Sequence, residues 1–188
     1  MLIGPVGVGK STVGGLLADR VGWPHVSMDA VCFAYYAEIG HDRSSSKRRR
    51  QPDGFKALYE SWKPFEAHAV ERILTDHSDA VIDLGAGHSV QEDPALFARV
   101  HATLHPVRNV VLLLPSPDLE ESVRILTERA APPAGFDWHR HFVTHPSNRA
   151  LAKLIVHTAG QTPEQTCDAV YERLFRTTSS IQASRRRR

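Results

Sequence analysis

Gly4-Pro5-Val6-Gly7-Val8-Gly9-Lys10-Ser11, followed by Thr12, fits the spacing G-x-x-x-x-G-K-[ST]. The spacing has a mechanism. Glycines let the main-chain N–H groups of Gly4, Val6, Gly7, Val8 and Gly9 turn inward around phosphate oxygens, and the following helix aims its positive N-terminal end at them. Lys10 can reach the β- and γ-phosphates, and the Ser11 hydroxyl can ligate Mg²⁺. Met1-Leu2-Ile3 before the loop is a short apolar stub, against about five or six residues in an ordinary strand. Either the first strand is short or the natural chain starts upstream.

Outward from the loop, helix and strand patterns alternate, which predicts a parallel sheet with helices on both faces. Thr12, Val13, Leu16, Leu17 and Val21 recur at helical spacing, closed by Gly22 and Pro24. Strands are expected at 1–3, 25–28, 80–84, 109–114 and 153–157. A helical pattern covers 30–39. The amphipathic stretch from about Phe55 to His77 reads as a long helix, which Pro64 should kink or split. Residues 93–104 read as another helix, and Ser116-Pro117 as the start of one reaching Thr127. Residues 128–142, with Pro132, Pro133 and Gly135, read as a mobile lid. Thr162-Pro163-Glu164-Gln165 is a capping box opening a final helix that should end near Arg176. The expected fold is therefore α/β: a three-layer αβα P-loop architecture with five parallel strands in one domain over 1–176.

Composition agrees with a soluble globular chain: 188 residues, 41% hydrophobic, 23% charged, net charge +2. No apolar run reaches the length of a membrane span, and the chain enters the phosphate loop without a signal peptide. Cys32 and Cys167 lie far apart, without metal-ligand spacing, and read as reduced thiols in a cytoplasmic protein. Two basic runs stand out, Arg43 to Arg50 and Arg185 to Arg188. The first belongs to an insertion over 41–54 and reads as a solvated loop. The second ends a stretch, 177–188, expected to be a disordered tail. Nucleic acid as a partner is disfavoured but stays open, and so does the choice between monomer and dimer.

Phosphoryl transfer needs held phosphates, neutralised charge and an acceptor oxygen in line. Candidates for those duties stand at the strand ends. Asp29, in Ser27-x-Asp29, can orient a substrate hydroxyl and take its proton, or cap the next helix. Asp83 ends an apolar strand, as a Walker B aspartate does, and can hold Mg²⁺ through water or serve as a structural ion partner of Lys10. Gly85-Ala86-Gly87 permits close approach of a substrate to the main chain, with His88 next to it. Arg124, Arg129 and Arg140 flank the lid: Arg124 for the nucleotide, Arg129 for the transferring phosphoryl group, Arg140 for the substrate. His139, His141 and His145 match no metal-ligand pattern.

The opening through Ala18, Asp29, Gly85-Ala86-Gly87 and the closing segment from Ala152 to Leu174, with Thr158 and Pro163, resemble shikimate kinase and the wider group of small P-loop kinases. The resemblance implies an ATP–Mg²⁺-dependent kinase acting on a small hydroxylated metabolite. Asp29 then matches the second acid of the family's D-x-D and Gly85–Gly87 its glycine turn. Departures concern the substrate. Ser27 replaces the first acid of D-x-D. The substrate-carboxylate arginine of the family's Phe-Arg pair has no clean match, leaving Lys63 or Lys56 nearest. The second such arginine falls to Arg149 or Arg140. Two other readings remain at this point: a kinase for a nucleoside, antibiotic or nucleic-acid 5′ hydroxyl, and an ATP-binding switch that hydrolyses slowly.

Overall fold

Leu2–Ile3 (β1) is only two residues long, yet it is the middle of the sheet, because both its edges are paired. In the computed structural model the described residues are 1–42, 54–132 and 135–185, with backbone alone at 54–55 and 176–185. Val81–Asp83 (β3) and Val111–Leu114 (β4) flank β1 in parallel, Leu2 standing opposite both Asp83 and Val111. His25–Ser27 (β2) pairs outside β3, and Leu154–His157 (β5) outside β4, giving the order β2-β3-β1-β4-β5. All pairings are parallel, so the carboxyl ends of β1, β2 and β3 meet at one edge, where open α/β sheets bind ligands. β1, β3 and β4 are wholly buried, as strands covered on both faces must be.

Helices cover the two faces. Lys10–Val21 (α1), Leu119–Arg129 (α5) and Pro163–Arg185 (α8) pack Val13, Leu17, Val123, Leu126 and Val170 against Leu2, Val111 and Leu113. Met28–Glu38 (α2), Gly54–Asp76 (α3) and Pro94–Leu104 (α4) pack Met28, Val70, Ile73, Val100 and Leu104 against Ile3, Ile82 and Leu112. Trp138–Thr144 (α6) and Pro146–Leu151 (α7) complete the chain's helices among the described residues. No helix there is long and apolar enough to cross a membrane. Cys32 and Cys167 are buried free thiols.

Four expectations need correction. α3 is not split at Pro64 but runs through it as one helix, because Ala67, Ala69, Val70 and Ile73, all fully buried, hold its second half against the sheet despite the missing N–H. The cap of α5 is Asp118 rather than Ser116, the Asp118 carboxylate accepting from the Glu120 and Glu121 N–H groups at 2.9 and 3.3 Å. Residues 138–142 are not loop but most of α6, begun by Asp137, whose carboxylate takes the Arg140 N–H at 3.0 Å. α8 continues to Arg185, since nothing after Pro163 is a glycine or proline that would stop it. The Thr162–Gln165 capping box forms, each residue's N–H bonding the other's side chain at 2.9 and 3.2 Å. The basic run 43–50 lies outside the described residues.

The Asp118 cap can be weighed. Asp118→Ala should cost about 1 kcal/mol. A chain of this size should then melt roughly 2–4 °C lower. A calorimetric midpoint that does not move would remove Asp118 from the account of α5.

Candidate functional site

The phosphate loop is shaped by two close constraints. Gly4 has φ +141°, and a Cβ there would lie 2.4 Å from the Leu113 carbonyl oxygen, so only glycine lets β1 turn into the loop beside β4. Gly9 precedes α1 in the left-handed region, and no side chain caps the helix. The first N–H groups of α1 are therefore left for an anion. The Lys10 side chain is nearly buried and curls back, donating to the Gly4 and Pro5 carbonyls at 2.9 and 3.0 Å. Burial lowers its ammonium to about 8, outweighing the nearby Asp29 and Asp83 charges that favour the proton. An arriving polyphosphate supplies the missing negative charge.

Asp83, fully buried at the end of β3, faces the loop across the sheet. Its Oδ1 accepts from the Ser11 hydroxyl at 2.9 Å and from the Ser27 hydroxyl at 3.2 Å, and its Oδ2 meets His25 Nε2 at 2.7 Å. Ser11 with a carboxylate behind it is a hard-oxygen pair, the donor chemistry that suits Mg²⁺ with phosphate oxygens and waters completing the shell. Among the described residues no trio of His, Cys, Asp and Glu is gathered for a metal. His139 instead meets the Ala130 carbonyl at 2.7 Å, and His141 pairs with Glu92 at 2.9 Å.

The nucleotide side has its own cavity, about 230 Å³, between the loop and the start of α8. Gly9, Thr12, Arg129, Thr158 and Gln161 are among its walls. The Thr158 hydroxyl is buried there without a partner, as a site awaiting a polar ligand leaves it. Thr158 and Gln161 were not among the sequence candidates for ligand contact. Arg129 reaches the loop, donating to the Gly7 carbonyl at 3.1 Å. Arg124 does not: on the exposed face of α5 it pairs with Glu121 and Glu128. A cavity of about 680 Å³ at the opposite end of the sheet, among Met1, Val21, Trp23 and Phe175, is remote from this chemistry.

The acceptor side is built on α2, α3 and the turn after β3. Asp29 is in the first turn of α2, while Ser27 occupies the cap position, so the carboxylate is free to face the cleft. Desolvation against the cleft wall raises its pKa, Lys10 pulls it down, and Asp83 adds to the rise. A Cβ on Gly85 would stand 2.2 Å from Asp29 Oδ1, so the turn and the acid approach as closely as a glycine allows. Ala86 points away, packing with Tyr59, Val90 and Phe142. Val8 is core, and Val6 is partly buried, so both serve the loop through main chain.

His88 is buried, with Nε2 meeting the Tyr36 hydroxyl at 2.9 Å and Nδ1 turned toward the Gly85 main chain. Burial, aided by the Lys63 charge, lowers its pKa from 6.5 to about 3, so the imidazole is neutral. A histidine neutral when folded but ready to charge when unfolded favours unfolding in acid. Stability should therefore be fully present above 6.5 and fall as pH drops toward 3. His88→Gln should flatten that limb in denaturant titrations across pH. An unchanged acid slope would rule out this origin.

Of the expected substrate contacts, Lys63 reaches the glycine turn with its donors already engaged, whereas Arg140, Arg149 and Lys56 are exposed elsewhere. Lys63 is buried and spends its donors internally, on Glu66 Oε2 at 2.7 Å and on the Gly87 and Val90 carbonyls at 3.0 and 2.9 Å. Arg140 makes a two-pronged bond to exposed Glu120 at 2.6 and 2.7 Å. Arg149 is exposed on α7, where its charge acts on His157. Lys56, at the exposed beginning of α3, is 3.8 Å from Glu60. Glu66, which sequence reasoning passed over, does line the turn: a Cβ on Gly87 would meet its Oε1 at 2.2 Å. Its signal was an acid directly after Phe65 on the apolar stripe of α3, three residues from Lys63.

Comparison with known proteins places this geometry. A family model described as shikimate kinase matches residues 6–175. A shikimate kinase of Streptomyces avermitilis is 30% identical over 186 residues, covering 93% of this chain and 94% of that one. Among solved structures, shikimate kinase from Acinetobacter baumannii in complex with shikimate is similar with TM-score 0.60 at 18% identity, covering 94% of this chain and 92% of the other. A gluconokinase from Sinorhizobium meliloti shares the fold at TM-score 0.51 and 13% identity, covering 97% and 94%.

Proposed function

The chain belongs to the shikimate kinase family and is an ATP-dependent phosphotransferase; from that premise we propose how its own residues divide the reaction. The observation that carries the assignment is the meeting of Asp29 Oδ1 with the Gly85 turn, at the sheet edge where Ser11 and Asp83 also meet. Donor and acceptor halves thus share one cleft.

In this reading Gly4–Thr12 hold the phosphates of ATP, with Lys10 leaving the Gly4 and Pro5 carbonyls to neutralise the β- and γ-phosphates. Ser11 would hold Mg²⁺ with Asp83 behind it, and the ion would neutralise charge on the phosphate oxygens. An acceptor hydroxyl lies against Gly85 and Gly87, donating to Asp29. As the hydroxyl oxygen bonds to the γ-phosphorus, its proton passes to Asp29 and the bond from phosphorus to the β-bridging oxygen breaks, releasing ADP. Arg129, already beside the loop at Gly7, steadies the transferring group. Beyond Arg129, in the stretch 128–142 that the sequence reads as a lid, the Phe136 ring packs on Tyr59 of α3 at 5.6 Å between centroids.

The acceptor is a small hydroxylated metabolite. Shikimate, the compound in the relatives' name, is the reference acceptor. The test is ADP release and product ³¹P NMR with shikimate and a panel of polyols and sugar acids. ATP hydrolysis that no acceptor stimulates would replace the kinase with a slow ATPase.

A further inference from the structure

We propose that His25 is a positioning residue for the divalent cation of ATP: by holding Asp83 Oδ2 it fixes the carboxylate that stands behind Ser11. The inference rests on the kinase reading above and refines its donor side.

Alternation along β2 puts His25 and Ser27 on one face, and in the parallel register Ser27 stands opposite Asp83. The three side chains meet on the α1 side of the sheet, where Ser11 joins them. Asp83 then carries a different load on each oxygen. Its Oδ1 accepts from the Ser11 and Ser27 hydroxyls at 2.9 and 3.2 Å, and its Oδ2 faces His25 Nε2 at 2.7 Å. An ionised carboxylate only accepts, so Nε2 is the donor in that contact. The Ser11 hydroxyl has one proton and gives it to Asp83, which leaves its lone pairs for a cation. The terminal torsion of an aspartate is soft, so a carboxylate held through one oxygen turns readily. His25 supplies the second point of attachment. With the Asp83 side chain 1% exposed, bulk water is a poor substitute for that donor.

α1 makes room for the contact. Gly14 and Gly15 lie inside this helix, where glycine is the least favourable residue after proline. A Cβ on Gly14 would stand 2.7 Å from His25 Nε2 and 3.2 Å from its Cδ2, and one on Gly15 would stand 3.8 Å from Nδ1. The imidazole therefore occupies the space that a side chain at position 14 would take. Alanine there would favour the helix and push the ring off Asp83. Neither His25 nor Gly14 belongs to the phosphate loop, yet both serve the one carboxylate behind Ser11. Groups that orient a metal-binding side chain are worth about 10–100-fold in metal affinity.

The experiment follows Mn²⁺ binding to the ADP-bound protein by EPR, with protein in excess of nucleotide, beside ADP affinity in EDTA by calorimetry. His25→Leu should weaken Mn²⁺ about tenfold and leave ADP affinity in EDTA unchanged, because the loop and Lys10 are untouched. His25→Gln keeps an N–H donor at similar reach and should restore most of the Mn²⁺ affinity. Gly14→Ala, with His25 in place, should weaken Mn²⁺ as His25→Leu does, and the double variant should be no weaker than either single one. Mn²⁺ affinity unmoved in both His25→Leu and Gly14→Ala overturns the proposal. So does an equal loss of ADP affinity in EDTA, which would make His25 a general support of the loop, or a Gln variant as weak as Leu. Wild-type protein that takes up no Mn²⁺ with ADP overturns the place given to the cation and this inference with it. No acceptor enters these measurements, so ADP release that no acceptor stimulates would overturn the kinase reading and leave the role of His25 standing.

Discussion

Lys10→Met should lower kcat/KM by about a thousandfold while leaving the protein at least as stable as the wild type. The two halves of that expectation have one physical origin. The Lys10 ammonium is nearly buried, and burial draws its pKa down to about 8 in spite of Asp29 and Asp83. A downward shift means that folding works against the charge. Methionine fills the same volume and removes that cost, at the loss of two bonds to loop carbonyls. The transition state, however, spreads negative charge over the γ-phosphoryl oxygens, and a preorganised cation there is worth several kcal/mol in a closed cleft. Thermal melts and steady-state kinetics on the same preparation separate the two effects. Activity within tenfold of the wild type would take Lys10 out of the catalytic account. A melting midpoint well below the wild type would mean that the carbonyl bonds outweigh the burial of charge.

The phosphate loop and the sheet were legible because each has a strict pattern. Every expected strand overlaps an observed one, since β1, β3 and β4 are buried on both faces and read as unbroken apolar runs. Boundaries were harder where several residues compete for one role. Ser116, Pro117 and Asp118 all carry helix-start chemistry, and only three dimensions show Ser116 bonding Ser122 while Asp118 caps α5. α6 and α7 were hidden by Pro132, Pro133 and Gly135 on one side and by their own brevity, seven and six residues. Their apolar positions are too few for a period to emerge.

The acceptor chamber was least legible, and Lys63 shows why. The family resemblance makes Lys63, or Lys56, the nearest stand-in for a substrate-carboxylate arginine. The i,i+3 neighbour Glu66 converts Lys63 into half of an internal pair. Spacing alone states that the two can meet, not that the Gly87 and Val90 carbonyls will use the remaining donors. Arg124 and Arg140 fail for a related reason. Each has an acid within reach on a solvated face, and charges there pair with the nearest partner unless a cleft draws them in. Arg129 bends to the Gly7 carbonyl instead.

Asp29→Asn is the complementary prediction, and it should separate chemistry from binding. The substitution keeps the size of the side chain and its place in the first turn of α2, and removes only the ability to take a proton. General-base loss of this kind costs about 10²–10⁴-fold in rate. The loss should fall on kcat, with the acceptor KM changed little, because the amide oxygen still accepts the hydroxyl's hydrogen bond. ADP affinity should persist, since the loop, Ser11 and Asp83 are untouched. The pH profile gives a second readout. Desolvation raises the Asp29 pKa, and a base with a raised pKa is lost as pH falls through that value, so the wild type should show an acid limb above the ordinary carboxylate range. In the variant that limb should disappear from kcat. If Asp29→Asn phosphorylates the best acceptor as fast as the wild type, proton acceptance belongs to another group. If only KM rises, Asp29 holds the hydroxyl without taking its proton, consistent with a loose, dissociative transfer in which the nucleophile needs little activation.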